Sequence, residues 1–445
     1  MPLFRDIPTP ARGDSASTCI EWAARRDPVG HRVHLAFGMI ALFMVPLAST
    51  PATIASTILF GYTLLRAPTL WRTWRELPRT PVVISVVLLF AWLACSTAWS
   101  PDQAQGVRLL RGSRYLLMIP ALLPLLAHRR LLLQALTAGI LFQCGAQFVD
   151  YLFGSGTVGG GLSEHGGHTA LWYSLPLGFL VFDRRSGIGN RWIRATLFVI
   201  IVLGLLMTNA RSALVGALGG LFIALLVDNL MRNRGLSRSL ITVISLSLVG
   251  ITAAVAITPI GDRIENAWVA LTTPYEGGEF NIDRTRPLWW RIGIEAWQDH
   301  PLAGTGLGSA AEIINGNEEV EAILAQSPDN HSVARDDFHS TFITVLVESG
   351  AMGMILLAGW MVLLAISILR NRGVGMILLT GYLAWLGYCL FNTTLFSGRL
   401  VAFSSTLIGL SLVRDMTSCI GLREAFRPSD RGVRDDPTQT GGAHE

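Results

Sequence analysis

Residues 335–353 read RDDFHSTFITVLVESGAMG. Here a long polar segment gives way to a run apolar enough for a bilayer core, which needs about 20 such residues. That transition makes the chain a membrane protein at this point. His339 and Ser340 read as the first turn of the apolar run, and Thr341 to Ser349 separate them from Gly350 and Gly353. The run carries a possible break at Gly350, with His339 on a short entry piece. A histidine at the mouth of a membrane helix suits proton transfer in the compartment that holds the polar segment. Alone, it reads more readily as a surface histidine at a helix entry.

Composition extends this reading to the whole chain. Of 445 residues, 51% are hydrophobic and only 15% charged, against about 25% charged in an ordinary soluble domain. Apolar runs predict an all-α polytopic membrane protein with about twelve transmembrane helices, at 33–49, 51–65, 81–99, 114–127, 131–152, 168–182, 192–208, 211–230, 239–258, 339–369, 374–396 and 398–413. The five cysteines lie mostly inside these runs without CxxC spacing. They read as small core residues, not as disulfides or a metal site.

There is no lysine, so all 35 basic residues are arginines. With the N-terminus inside, 25 of those 35 fall on the cytoplasmic side, as the positive-inside bias requires. The expected organisation is a cytoplasmic tail at 1–30, transmembrane helices one to nine over 31–258 and a large periplasmic loop at 259–338. Helices ten to twelve follow over 339–413, and a second cytoplasmic tail over 414–445. No small-residue cleavage site follows Arg25-Arg26, which argues against a removable secretion signal.

The ten remaining arginines oppose that bias and so mark candidate sites. Arg108, Arg111 and Arg114 stand three apart and, if helical, share one face; Arg108 and Arg111 are candidate substrate contacts. Arg211 follows Thr208-Asn209-Ala210 at the tip of a tight helix pair. An arginine fork beside a helix N-terminus makes an anion site. Arg108 and Arg399 read as side chains snorkelling to the headgroups. In the outer loop, RPLWWRIGIEAWQDHP (Arg286 to Pro301) predicts a helix with Pro287 early and Pro301 ending it. Its Trp289, Trp290, Ile294 and Trp297 fit an amphipathic helix at the membrane interface, with Arg286 and Arg291 turned to the headgroup plane.

Weaker motifs bound the chemistry. Gly304-Thr305-Gly306-Leu307-Gly308 has no preceding strand, so it reads as a turn that lets backbone approach a partner, not a dinucleotide site. Glu164, His165 and His168 could space a metal, but such a short motif is unspecific; His168 is kept as a substrate contact and no metal or other cofactor is expected. Asp336-Asp337 reads as a helix N-cap or, less readily, a cation site. Walker motifs, a Ser-His-Asp order and repeats are absent from the sequence.

Three stretches together resemble the bacterial O-antigen ligases, within the O-antigen ligase/polymerase family of membrane glycosyltransferases. They are TNARSALVG around Arg211, RPLWWRIGIEAWQDHPLAGTGLGS, and FHSTFITVLVESGAMG with its His-Ser, nine residues and Gly-x-x-Gly. The resemblance covers roughly 190–370. It implies a lipid-sugar glycosyltransferase (GT-C-like) architecture and metal-independent, inverting transfer of O-antigen polysaccharide. The donor would be undecaprenyl pyrophosphate and the acceptor a sugar hydroxyl of lipid A–core, in lipopolysaccharide biosynthesis. The active site would face the periplasm from the bacterial inner membrane, with no nucleic acid involved. His339 would be the catalytic base, and Arg211 with Arg291 or Arg286 would bind pyrophosphate. An O-antigen polymerase and a lipid-linked sugar flippase remain the alternatives.

The orientation is testable. Reporter fusions at Glu276 and Glu318 should report the periplasm, and fusions at Arg75, Arg234 and Arg372 the cytoplasm. A cytoplasmic signal at Glu318 would overturn the arrangement.

Overall fold

A computed structural model describes residues 16–154, 161–162, 166–183, 190–208, 210–231, 282–325, 337–371 and 373–412. Over these residues it contains helices and connections but no strand. The first half comprises α1 (Ala16–Arg26), α2 (Pro28–Met44), α3 (Ser49–Leu65), α4 (Ala67–Trp74), α5 (Pro81–Ser96), α6 (Gln103–Leu110), α7 (Met118–Leu122) and α8 (Arg129–Phe153). Next come α9 (Gly166–Trp172), α10 (Ser174–Phe182), α11 (Arg191–Met207) and α12 (Arg211–Met231). The outer layer holds α13 (Ile282–Asp299), α14 (Ala310–Asn315) and α15 (Glu318–Ala325), before α16 (Thr341–Arg370), α17 (Gly375–Phe391) and α18 (Gly398–Ser411).

Each expected span among the described residues is helical; 239–258 lies outside them, as does the first half of the outer loop. Four stretches are long and apolar enough to cross a bilayer: Pro81–Trp99, Gln103–Phe153, Ser212–Met231 and Thr341–Arg370. Gly375–Phe391 is a shorter apolar helix. Val87, Val215, Ile355 and Val362 are exposed along these stretches, and Ile54 and Ile58 along α3, the outward apolar surface that a lipid environment solvates. Several boundaries differ from expectation: 33–49 becomes Pro28–Met44, and 114–127 holds α7 between 3-10 turns. The 168–182 run divides at Tyr173, 374–396 stops at Phe391, and the N-terminal tail contains α1. That helix forms because its apolar face, Trp22 and Ala23, packs on Leu70 and Trp74 of α4, while Arg26 and Arg72 lie over the Trp22 ring at 4.9 and 5.1 Å.

The centre of the bundle is α17 and α18. Every residue of α18 from Arg399 to Ser411 is buried, its hydroxyls included. Between α12 and α17 the backbones nearly touch. A Cβ on Gly216 would lie 2.8 Å from the Ala384 carbonyl oxygen, and one on Gly220 2.8 Å from that of Thr380. This four-residue spacing of small residues is how membrane helices gain contact where lipid offers no hydrophobic drive.

The controlling irregularity is in α16. Gly350 has φ 69° and ψ −169°, a conformation essentially restricted to glycine. The break frees backbone groups on both sides, and within a membrane bundle each must find a partner. The Pro301–Gly308 loop, with φ of 72°, 100° and 97° at Gly304, Gly306 and Gly308, supplies most of them. Thr305 N–H donates to the Val347 carbonyl (2.8 Å) and Gly306 N–H to that of Glu348 (3.0 Å). Beyond the break, Ala351 and Met352 donate to the carbonyls of Pro301 (2.9 Å) and Leu302 (3.3 Å). Trp92 of α5 completes the set, donating its indole N–H to the Ser349 carbonyl at 2.9 Å. The expected close backbone approach of this glycine turn is therefore made, and its partner is the broken helix.

Gly350→Ala is expected to lower the thermal unfolding temperature in detergent. Backbone strain alone contributes about 1–3 kcal/mol, and the new Cβ would run into the Leu302 carbonyl. Gly359→Ala, in the same helix with open space around it, should leave the unfolding temperature unchanged within error. Equal effects from the two variants would refute the strained break.

Candidate functional site

The mouth of α16 is organised by its cap. Ser340, not an aspartate, is the N-cap, its Oγ accepting the Ile343 N–H at 3.5 Å. His339 therefore precedes the helix instead of standing in its first turn, a correction to the sequence reading. Asp337, read there as a cap, serves the histidine: its Oδ1 accepts the His339 backbone N–H at 2.6 Å and faces His339 Nδ1 at 3.1 Å. Asp336 lies outside the described residues. Among the described residues His339 is the one non-glycine with positive φ, 49°, and its Nε2 makes no hydrogen bond.

The outer layer holds this segment in place. Helix α13 is longer than expected, starting at Ile282 and ending at Asp299, before Pro301. Trp289 is fully buried, its ring centroid 5.1 Å from that of His339 at 34°. Trp290 donates to the Phe338 carbonyl at 2.9 Å, and Gly293 leaves the space that Phe338 and Val347 fill. Trp289 thus lies in a second apolar core, with Ile292, Ala310, Ile314 and Val320, against which Trp290 and Trp297 pack half-buried. Helices α14 and α15 supply the protein surface for that core.

The same helix separates its two candidate arginines. Arg286 is half-buried one turn before Trp289 and Trp290. Arg291 points elsewhere: it is exposed and paired with Glu319. The helical rotation of about 100° per residue accounts for the difference.

The chain then returns to the His339 corner twice. Thr341 donates its N–H and hydroxyl to the Asn392 carbonyl at 3.1 and 2.7 Å. Asn392 Nδ2 in turn donates to Ser212 Oγ at 3.0 Å. This bond fixes the first turn of α12, which Arg211 opens; the Arg211 side chain lies outside the described atoms. His168 Nδ1 is 3.4 Å from the Ser397 hydroxyl, and the Tyr388 hydroxyl rests against Gly167. His165 is outside the described residues. Arg108 and Arg111 are both exposed, connected to the site through Gly106, whose helix presses on Leu307 and Gly308. Arg399 does not snorkel. It is buried and donates to Thr169 Oγ1 (3.2 Å) and Ser49 Oγ (2.9 Å), because α18 lies inside the bundle.

The His339 corner, the start of α12 and His168 are therefore each tied by hydrogen bonds to residues 392–397, Arg286 is half-buried on α13, and Arg291 is left outside. The role of Asp337, and Glu348 and Asn392 altogether, escaped the sequence reading. Asp337 was legible as Asp-x-His, the spacing of a side chain that caps its own turn. Glu348 was legible as a lone acid in a membrane-grade run; it is fully buried, and its Oε1 accepts the N–H groups of Gly308 and Ala310 at 3.1 and 3.2 Å. Asn392 gave no local signal, since its partners are distant in the chain.

Residues 196–358 match a family model described as O-Antigen ligase. The match runs from α11 through the outer layer and past the break at Gly350, and so contains Arg211, Arg286, Asp337 and His339. No curated protein matches the chain.

Proposed function

We propose that this chain, whose residues 196–358 match the O-antigen ligase family model, is a member of the O-antigen ligase/polymerase family and is the ligase. It would transfer O-antigen polysaccharide from undecaprenyl pyrophosphate to a sugar hydroxyl of lipid A–core, at the periplasmic face of the inner membrane. The observation that carries this reading is His339, held at a helix mouth by Asp337 and Trp289 with Nε2 unpartnered among the described residues. The His-Ser motif and its nine-residue spacing favour ligase over polymerase.

The chemistry needs little more. Pyrophosphate is a good leaving group, so the protein must hold it, stabilise the charge that develops and accept the proton of the attacking hydroxyl. His339 Nε2 would take that proton. The donor's anomeric carbon would be attacked from the face opposite the pyrophosphate, which inverts it. Arg286, on the inward face of α13, fits the pyrophosphate role better than Arg291. Arg211 at the N-terminus of α12 would be its partner, adding a guanidinium fork to free backbone N–H groups. Arginines of this kind neutralise a pyrophosphate directly, so the reaction would proceed without a divalent metal. His168, Arg108 and Arg111 would touch the glycan or the acceptor.

Proteoliposomes carrying the chain, lipid-linked O-antigen and lipid A–core should yield joined lipopolysaccharide, with EDTA present throughout. Lengthening of the lipid-linked glycan instead would identify a polymerase, and movement of lipid without any product a flippase. A requirement for Mg²⁺ or Mn²⁺ would remove the arginine mechanism.

In the same assay His339→Ala should lose about 10²–10⁴-fold in rate, the usual contribution of general acid–base catalysis, with normal expression. Wild-type transfer by that variant would return His339 to a structural role.

Arg286→Ala should weaken donor use at least tenfold. Arg291→Ala, which breaks an exposed ion pair of the kind that contributes about 0–1 kcal/mol, should retain most activity. The reverse order would move the pyrophosphate to the outer side of α13.

A further inference from the structure

We infer that Asp337 is the positioning residue for His339: it fixes which ring nitrogen carries the proton and which way the other one faces. The inference rests on the reading of His339 as the base. Two donors of one residue converge on a single oxygen, the backbone N–H at 2.6 Å and Nδ1 at 3.1 Å from Asp337 Oδ1. A carboxylate can only accept, so Nδ1 carries the hydrogen and Nε2 is left with its lone pair. Nε2 is the ring nitrogen with no hydrogen bond among the described residues.

The backbone agrees with this assignment. A histidine at φ 49° occupies a sparsely populated region, and strained conformations persist where surrounding structure over-determines them. Here Asp337 closes the turn from one side and Ser340 caps the helix from the other. Trp289 lies against the imidazole and limits rotation of the ring. Helix capping does not account for Asp337, because Ser340 has that task.

In the transfer step the acceptor oxygen bonds to the anomeric carbon as the bond from that carbon to the pyrophosphate oxygen breaks. The pyrophosphate leaves with the electron pair, and the hydroxyl proton passes to His339 Nε2. His339 is then doubly protonated, with Asp337 against its Nδ1–H. The carboxylate therefore stabilises charge that exists only during and after the transfer, as an aspartate does behind the histidine of a serine-protease triad.

The test is Asp337→Asn in full-length protein in proteoliposomes, with Asp337→Ala and the double variant Asp337→Asn/His339→Ala beside it. Asparagine can still accept the His339 N–H, so it keeps the turn and removes the charge. The expected result is a fall in kcat of about 10²–10⁴-fold, with the donor KM and the unfolding temperature unchanged. In the His339→Ala background the same change should cost nothing further. Wild-type kcat in Asp337→Asn, or a loss in step with a lower unfolding temperature, would confine Asp337 to the turn. An equal loss in both backgrounds would show that it acts without His339. Should His339→Ala give no product, the kcat–KM split of Asp337→Asn decides alone. Wild-type transfer by His339→Ala would sink the base assignment itself, an outcome separate from any result at position 337.

Discussion

A helix that breaks within a membrane bundle exposes carbonyls on one side of the break and N–H groups on the other, and each costs several kcal/mol if left without a partner. In this chain the break at Gly350 is answered by the loop from Pro301 to Gly306 and by the Trp92 indole. The loop must enter so closely that its glycines adopt left-handed backbone with almost no room for a side chain. Because α14 follows directly from the loop, the break also sets where the outer layer sits on α16. Glu348 reinforces the joint from beneath, receiving the N–H groups of Gly308 and Ala310.

From that joint the geometry of the His339 corner follows. The outer half of α16, Thr341 to Ser349, is held at its far end by the loop and at its mouth by Asn392. Helix α13 crosses it with Trp289, Trp290 and Gly293 facing inward, so Phe338 is buried and His339 is placed against an aromatic wall. The two arginines of α13 differ by which way they face, not by distance along the chain. Asn392 ties this outer corner to α12, and α12 is itself pressed on α17 through Gly216 and Gly220. Rigid packing in the bundle thus reaches the residues proposed for chemistry through hydrogen bonds.

The parts legible in the sequence are those with a local cause. Apolar runs marked the helices, and Gly350 in such a run marked the break, since glycine is what a helix tolerates when it must depart from helical φ and ψ. The Gly-x-Gly-x-Gly turn was legible as close backbone approach, but its partner, some forty residues later, was not. The Trp-rich helix read as interfacial because amphipathicity alone does not say whether the covering surface is lipid or protein; α14 and α15 decided that. Arg399 misled for a similar reason. Its place near an apolar boundary suggested snorkelling, while burial of α18 on every side is a property of the whole bundle. Asp337 and His339 are neighbours in sequence, yet their relation needed the turn geometry, which Ser340 controls by capping the helix.

The order of the joint along the chain bears on how the protein is made. The patch, residues 301–306, precedes the segment it mends, residues 347–352, so it leaves the ribosome first. Helix α5, which contributes Trp92, is made earlier still. When the apolar run containing Gly350 emerges, every group needed to satisfy its broken backbone already exists. A chain with the reverse order would hold an unmended break in the bilayer for as long as translation took to reach the patch. The present order removes that interval, and it ties the lodging of one membrane segment to a loop made before it.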